Sequence, residues 1–239
     1  MIKKGLLVML ILITLIGVSG CMSANSKLSS KEKEAKVLEY LKNKYNEEFI
    51  PLSISESGWG QGHDVIVLHP KNGKKEDTFQ AWGTKMDDGT YSVSDGYFKY
   101  IIKPEYETAM SSFVKGIYKE FKLYTDFGEG VFPDKLNKNT KISDIYNSSP
   151  NLSSETIVFV KKSSADGIDI SESLKKIALK MRENKLVGSV KIYVVLDNKY
   201  EITNHETLGS VVFKEYFTED SRKYIDVYSN LEISEVKNG

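Results

Sequence analysis

"PEYETAMSSFVKGIYKEFK", residues 104–122, is the stretch on which the fold turns. Tyr106, Met110, Phe113, Ile117 and Phe121 recur at steps of four, three, four and four. That spacing places all five along one side of an α-helix. Proline is at home in a first helical turn, so the pattern predicts a helix from about Pro104 to Lys122. An apolar stripe of this kind has to be buried against another element. The flanking sequence decides which one.

Upstream the chain reads as hairpins. Phe49 to Ser55 and Val65 to Leu68 are β-rich, "KNGKK" carries an Asn72-Gly73 turn, and Thr78 to Thr84 forms the next strand. Asp88-Gly89 then turns into Thr90 to Tyr100, whose Tyr91, Val93 and later aromatics predict a further strand. An earlier helix should start near Ser29, which has capping-box spacing to Glu32. Its face is Val37, Leu38, Leu41 and Tyr45, and its end lies near Asn46. The 104–122 helix is expected to lie on this meander.

Downstream, Gly128 to Asn151 reads as a loop, interrupted by a short helix near Ile142 to Tyr146. A strand follows at Thr156 to Lys161, then a helix at Ser171 to Asn184 with the stripe Leu174, Ile177, Ala178 and Met181. Further strands are expected at Val187 to Leu196, Ser210 to Phe217 and Lys223 to Ser229, with a fraying end at "EISEVKNG". Ile157-Val158-Phe159-Val160 is apolar on both faces and reads as a central strand. The class is therefore α+β, with largely antiparallel sheets each covered by helix. The expected organisation is an N-terminal subdomain at 31–127, a linker at 128–151 and a C-terminal subdomain at 152–239.

Chemistry is much harder to find than architecture. His63 and His69 lie six residues apart in a strand, roughly 20 Å at 3.3 Å per residue, too far to share a metal. His205 reads as a loop residue. "GWGQGH" (Gly58 to His63) lacks the last glycine of a dinucleotide loop and precedes a strand. "DFG" at Asp126 to Gly128 has no accompanying nucleotide loop or catalytic-loop motif. Asp87-Asp88-Gly89 resembles the start of an EF-hand loop, but Phe98 stands where the bidentate glutamate belongs. No motif implies a metal or a cofactor. The acidic pairs Glu47-Glu48, Glu76-Asp77 and Glu219-Asp220 are the candidates for carboxylate catalysis. Trp59, Trp82 and Tyr97 are the candidate binding surface, because aromatics with a polar tip suit peptide and sugar contacts.

The first 21 residues carry a different kind of information. Lys3 and Lys4 precede an apolar run from Gly5 to Val18. At 1.5 Å per residue that run makes about 21 Å of helix, short of a hydrocarbon core of roughly 30 Å. A charged start, a short apolar run and small residues at a cut site form the layout of a secretory signal peptide. Here Val18-Ser19-Gly20 stands directly before Cys21, the chain's single cysteine. This resembles the lipobox of bacterial lipoproteins. The resemblance covers residues 1–21 and implies cleavage between Gly20 and Cys21, with a diacylglycerol on the Cys21 sulfur. Met22 to Ser30, rich in Ser and Asn, would then be a flexible tether.

The 239-residue chain has 33 basic and 33 acidic side chains, and residues 1–20 remove two lysines and no acid. A mature chain of about −2 with no basic block is a poor match for nucleic acid. The expectation is a Gram-positive lipoprotein held by its N-terminal lipid on the outer face of the cytoplasmic membrane. It would present a non-catalytic binding module to an envelope protein, a peptide or a wall polymer. The alternative is an envelope-acting hydrolase using paired carboxylates.

Overall fold

Helix α1 (Ser30–Tyr45) starts at the cap its sequence specifies. Ser29 Oγ accepts the Glu32 N–H at 3.3 Å, and Glu32 Oε2 accepts the Ser29 N–H at 2.8 Å. It stops at Asn46, which takes the left-handed conformation (φ 56°) and closes the last turn on the Lys42 carbonyl. Lys33, Val37, Leu41 and Tyr45 form the buried face at strict four-residue steps. Leu38 sits at the margin, and Lys33 is an addition that apolar periodicity does not reveal. In the computed structural model the described residues are 28–58, 62–128, 132–146, 154–218 and 222–239.

Four antiparallel strands follow in chain order, β1 (Phe49–Ser55), β2 (Asp64–Pro70), β3 (Phe79–Lys85) and β4 (Tyr91–Asp95). Their hydrogen-bonded order is β1-β2-β3-β4, a simple meander. Side chains alternate across it. Ile66, Leu68, Phe79 and Ala81 pack beneath α1, while Val65, Val67, Gln80 and Trp82 point the other way.

The largest departure from the sequence reading concerns α2 (Phe98–Lys115). The predicted strand through Tyr100 ends at Asp95, and the helix starts six residues before Pro104. Phe98, Ile102, Tyr106, Met110 and Val114 are its buried face, again at steps of four. That second register was masked by the β-propensity of Tyr97 to Tyr100. Pro104 stands inside the helix, where its missing N–H removes one rung of the ladder. The C-terminal end is earlier too, because Gly116 closes the helix and Phe121 belongs to a strand.

The second sheet comprises β5 (Phe121–Asp126), β6 (Glu155–Lys161), β7 (Gly188–Val195), β8 (Lys223–Val227) and β9 (Lys237–Asn238), paired in that order. β6 and β7 run parallel and the other pairs antiparallel. The parallel step is made through the four-residue α3 (Lys162–Ala165) and α4 (Ile170–Glu183), whose Leu174, Ile177, Ala178 and Met181 are fully buried. Burial of each large apolar side chain there is worth about 1.5–3 kcal/mol. Val158 and Val160 of β6 face α4 and the second half of α2, while Ile157 and Phe159 face a strap made by residues 196–217.

Three further expectations need correction. Ser210 to Phe217 is not a strand. It holds the end of a 3-10 turn (His205–Gly209) and the short helix α5 (Phe213–Tyr216). Phe213 and Phe217, four apart, both reach the sheet with ring centres 4.8 Å from each other. The end of the chain does not hang free, since β9 pairs with β8 and Ser234 N–H donates to the Asp226 carbonyl. The stretch read as a linker puts Phe132, Leu136 and Ile145 into the first core, and Phe132 N–H donates to the Asp95 carbonyl.

The fold class is α+β, two mostly antiparallel sheets with helices, as the patterning indicates. The two cores meet along α2. Phe98 and Ile102 belong to the first, and Tyr106, Met110 and Val114 to the second. Only the opening turns of this helix lie on the meander. Its remainder covers the second sheet, which begins at Phe121, inside the stretch assigned to the N-terminal subdomain. Among the described residues no helix is long and apolar enough to cross a membrane.

Candidate functional site

The first candidate surface is the outer face of the meander. Trp82 stands on β3 in register with Val65 on β2 and Ser94 on β4. α1 packs against the opposite face, so the indole is half-buried among strand neighbours and open on one side. Beside it lies a hollow of about 90 Å³ lined by Val67, Gln80, Trp82, Gly96 and Lys99. On the edge strand β1, Leu52 is 54% exposed and Ile50 39% exposed. The face thus combines an aromatic wall, aliphatic neighbours and one cationic rim.

The candidate binding residues separate. Tyr97 does not share this face. It is 6% exposed and sits in the first core among Tyr45, Phe49 and Phe79, with ring centres 4.7 to 5.0 Å away. Its hydroxyl donates to Glu47 Oε2 at 2.6 Å, and burial together with that carboxylate pushes it above the usual phenol range. Trp59 lies outside the described residues, as do Gly20 and Cys21.

The second candidate is an open cleft of about 550 Å³ at one end of the five-stranded sheet. Register builds it. Asp126 pairs with Glu155, Glu155 with Ser189, and Ser189 with Asp226, so one row across four strands presents three carboxylates and a hydroxyl to the same side. The 196–217 strap covers the neighbouring rows through Ile157 and Phe159. Lys191 forms an ion pair with Glu155, and Lys237 reaches Asp226 at 3.1 Å. Phe127 and Tyr228 add aromatic edges.

Behind the cleft lies a buried hydroxyl network. Tyr106 OH donates to the Val187 carbonyl at 3.0 Å and accepts from Ser154 Oγ at 2.8 Å. Burial pushes the Tyr106 phenol up to about 12. Gly188 (φ 138°) passes directly over Ser154, and a β-carbon there would lie 2.1 Å from Ser154 Oγ.

Of the acidic pairs named from sequence, neither Glu47-Glu48 nor Glu76-Asp77 lines this cleft. Glu47 is held by Tyr97, and Glu48 forms ion pairs with Lys71 at 2.7 Å and Lys42 at 4.0 Å. Glu76 is exposed and Asp77 half-buried in the β2–β3 connection, while Glu219 and Asp220 lie outside the described residues. The sequence marks Asp126 only as part of "DFG" and does not mark Glu155 or Asp226, because only strand register brings residues 126, 155 and 226 into line. The histidines are equally dispersed. His63 is exposed, His69 Nδ1 lies 2.9 Å from the Pro70 carbonyl, and His205 stacks on Tyr124 at 3.7 Å. Among the described residues no group of three or more His, Cys, Asp or Glu side chains could hold a metal ion.

No family model matches the chain, and no curated protein matches it. Among solved structures it is similar to a DUF5037 family protein from Ruminococcus gnavus ATCC 29149, at 15% identity and a TM-score of 0.39. That match covers 70% of this chain and 77% of the other. A likeness at that level carries no argument about function.

Proposed function

We propose that this chain is a lipid-anchored extracytoplasmic protein whose folded part is a non-catalytic binding module of the cell envelope. The placement is supported by Val18-Ser19-Gly20-Cys21 at the end of a short apolar run. Two acyl groups on Cys21 would anchor the chain stably, where one would hold it only marginally. α1 begins at Ser30, so eight residues separate Cys21 from the first residue of the helix.

The observation that carries the binding reading is the outer face around Trp82. A half-buried indole on the face away from α1, with Val65 and Val67 of β2 as its aliphatic neighbours, suits a partner offering apolar or ring surfaces. Peptides, envelope proteins and wall polymers all provide these. A photo-crosslinking residue at exposed Gln80, which lines the same hollow as Trp82, tests it in intact cells, with one at exposed Lys175 on α4 as the control. The reading requires an envelope component captured from position 80 and not from position 175. Equal capture from both positions would remove it.

A second reading, an envelope-acting hydrolase, draws on the cleft. Asp126 and Glu155 are direct cross-strand neighbours, about 5 Å apart at the backbone. Retaining glycosidases use two carboxyl groups about 5–5.5 Å apart, and side chains at paired strand positions can reach such a separation. The Lys191 ammonium on Glu155 and the Lys237 ammonium on Asp226 weigh against it, because each occupies a carboxylate oxygen that would have to face the substrate. Turnover of wall polymer that is lost in both Asp126→Asn and Glu155→Gln would move the assignment to this reading.

A further inference from the structure

We propose that Asn72 is a site of spontaneous deamidation, in which the turn between β2 and β3 converts its own amide to a carboxylate. The sequence holds two Asn-Gly pairs, Asn72-Gly73 and Asn238-Gly239. They sit in very different surroundings. Asn72 occupies the tight turn from Pro70 to Gly73, closed by a single bond from Gly73 N–H to the Pro70 carbonyl at 3.1 Å. Residues 71–76 are all exposed.

The side chain is available as well. Asn137, Asn184, Asn204 and Asn230 each engage their amide in a local hydrogen bond. No such bond is made by the Asn72 amide among the described residues, so nothing there holds its Cγ away from the following nitrogen. Glycine at position 73 has no β-carbon to crowd the approach. Lys71, Lys74 and Lys75 surround the turn with positive charge, which favours the amide anion that attacks.

The step balances without any redox partner. The Gly73 nitrogen loses its proton and bonds to Asn72 Cγ, closing a five-membered imide. The Cγ–Nδ2 bond breaks, and Nδ2 leaves as ammonia with the displaced proton. Water then adds to either imide carbonyl and reopens the ring, giving an aspartyl or an isoaspartyl residue at position 72. Both products put a negative charge among the lysines. The isoaspartyl form also lengthens the main chain by one methylene between two inner strands of the sheet.

Asn238 provides the internal comparison. It lies in β9, pairs with Lys223, and the following N–H donates to the Arg222 carbonyl at 2.9 Å. Attack there requires loss of strand pairing as well as of that bond.

The experiment incubates the folded protein at mildly alkaline pH, separates charge forms by ion exchange, and maps peptides by mass spectrometry. The expected result is an acidic form whose added mass and isoaspartyl linkage lie in the peptide containing Asn72, ahead of any change at Asn238. The variant Asn72→Gln, at an exposed position with no side-chain bond to lose, should lose that form. An unmodified Asn72 peptide, conversion at Asn238 first, or an acidic form that persists unchanged in Asn72→Gln would each overturn the proposal.

Discussion

Lys33 on α1 and Asp64 at the head of β2 meet at 2.9 Å with both side chains almost wholly buried. Glu56 Oε2 takes a second bond from the same ammonium at 3.1 Å. Asp64 also accepts from Ser57 N–H and from the Tyr91 hydroxyl. Eleven residues along the helix, on the same side, Lys44 makes the matching bond to buried Asp95 at 2.8 Å. The apolar stripe of α1 is thus bracketed by two ion pairs that fix its position over the sheet. Each is a satisfied structural contact rather than a site.

Removing one partner should be far more damaging than removing both. Lys33→Met leaves a buried carboxylate with fewer donors and is expected to cost about 3–5 kcal/mol in urea unfolding. Lys33→Met combined with Asp64→Leu should recover much of that loss. Equal instability of the single and double variants would show that the pair contributes more than mutual neutralisation.

The same pair sets a pH dependence. Burial alone would raise the Asp64 pKa, but the bonds from Lys33, Ser57 N–H and Tyr91 outweigh it and hold it below the usual range. Its stabilisation is therefore full above the unfolded value of about 3.9 and is lost as pH falls through the lower folded value. For Lys33, burial lowers the pKa, and the bonds its ammonium donates to Asp64 and Glu56 outweigh that and raise it. Its contribution is present below the unfolded value of about 10.4 and lost as pH rises through the folded one. Urea midpoints measured across acid pH should fall more steeply for the wild type than for Asp64→Asn.

Gly188→Ala should weaken the second sheet. The positive φ alone is worth about 1–3 kcal/mol of strain, and a β-carbon would lie 2.5 Å from the Ser154 carbonyl as well as against Ser154 Oγ. Ser154→Ala in the same chain removes only the hydroxyl and should not restore stability. Thermal melts of the two variants check this.

Trp82 and Tyr97 should part company on mutation. Tyr97→Ala empties a packed aromatic core and is expected to cost about 3–5 kcal/mol. Trp82→Ala, on the open face, should cost clearly less while abolishing capture of the envelope partner. A Trp82 variant as unstable as the Tyr97 variant would show that the indole is packed and not presented.

Much of this architecture is legible locally, and what is not depends on distant pairing. The Ser29 capping box and the Leu174 to Met181 stripe can be read because the interacting residues lie within a few positions of each other. Val158 and Phe159 announce a strand buried on both faces for the same reason. Tyr97 to Tyr100 misled because aromatics serve equally as strand residues and as the first turn of a helix, and only the packing of Phe98 against Phe132 settles it. Phe121 fell in phase with the helix but stands in register opposite Val160, thirty-nine residues on. The carboxylate row was invisible for a related reason. Asp126, Glu155 and Asp226 are unremarkable strand-end acids until register aligns them.

The anchor on Cys21 is the claim on which the placement of this protein depends, and one mass measurement addresses it. The protein would be expressed from its full sequence in a Gram-positive host, extracted from the membrane fraction, and its N-terminal peptide analysed. The expected species begins at Cys21 and carries a diacylglycerol on the sulfur, and Cys21→Ala is absent from the lipidated fraction. A membrane-extracted chain that retains residues 1–20, or one that begins at Cys21 with an unmodified thiol, would contradict the account.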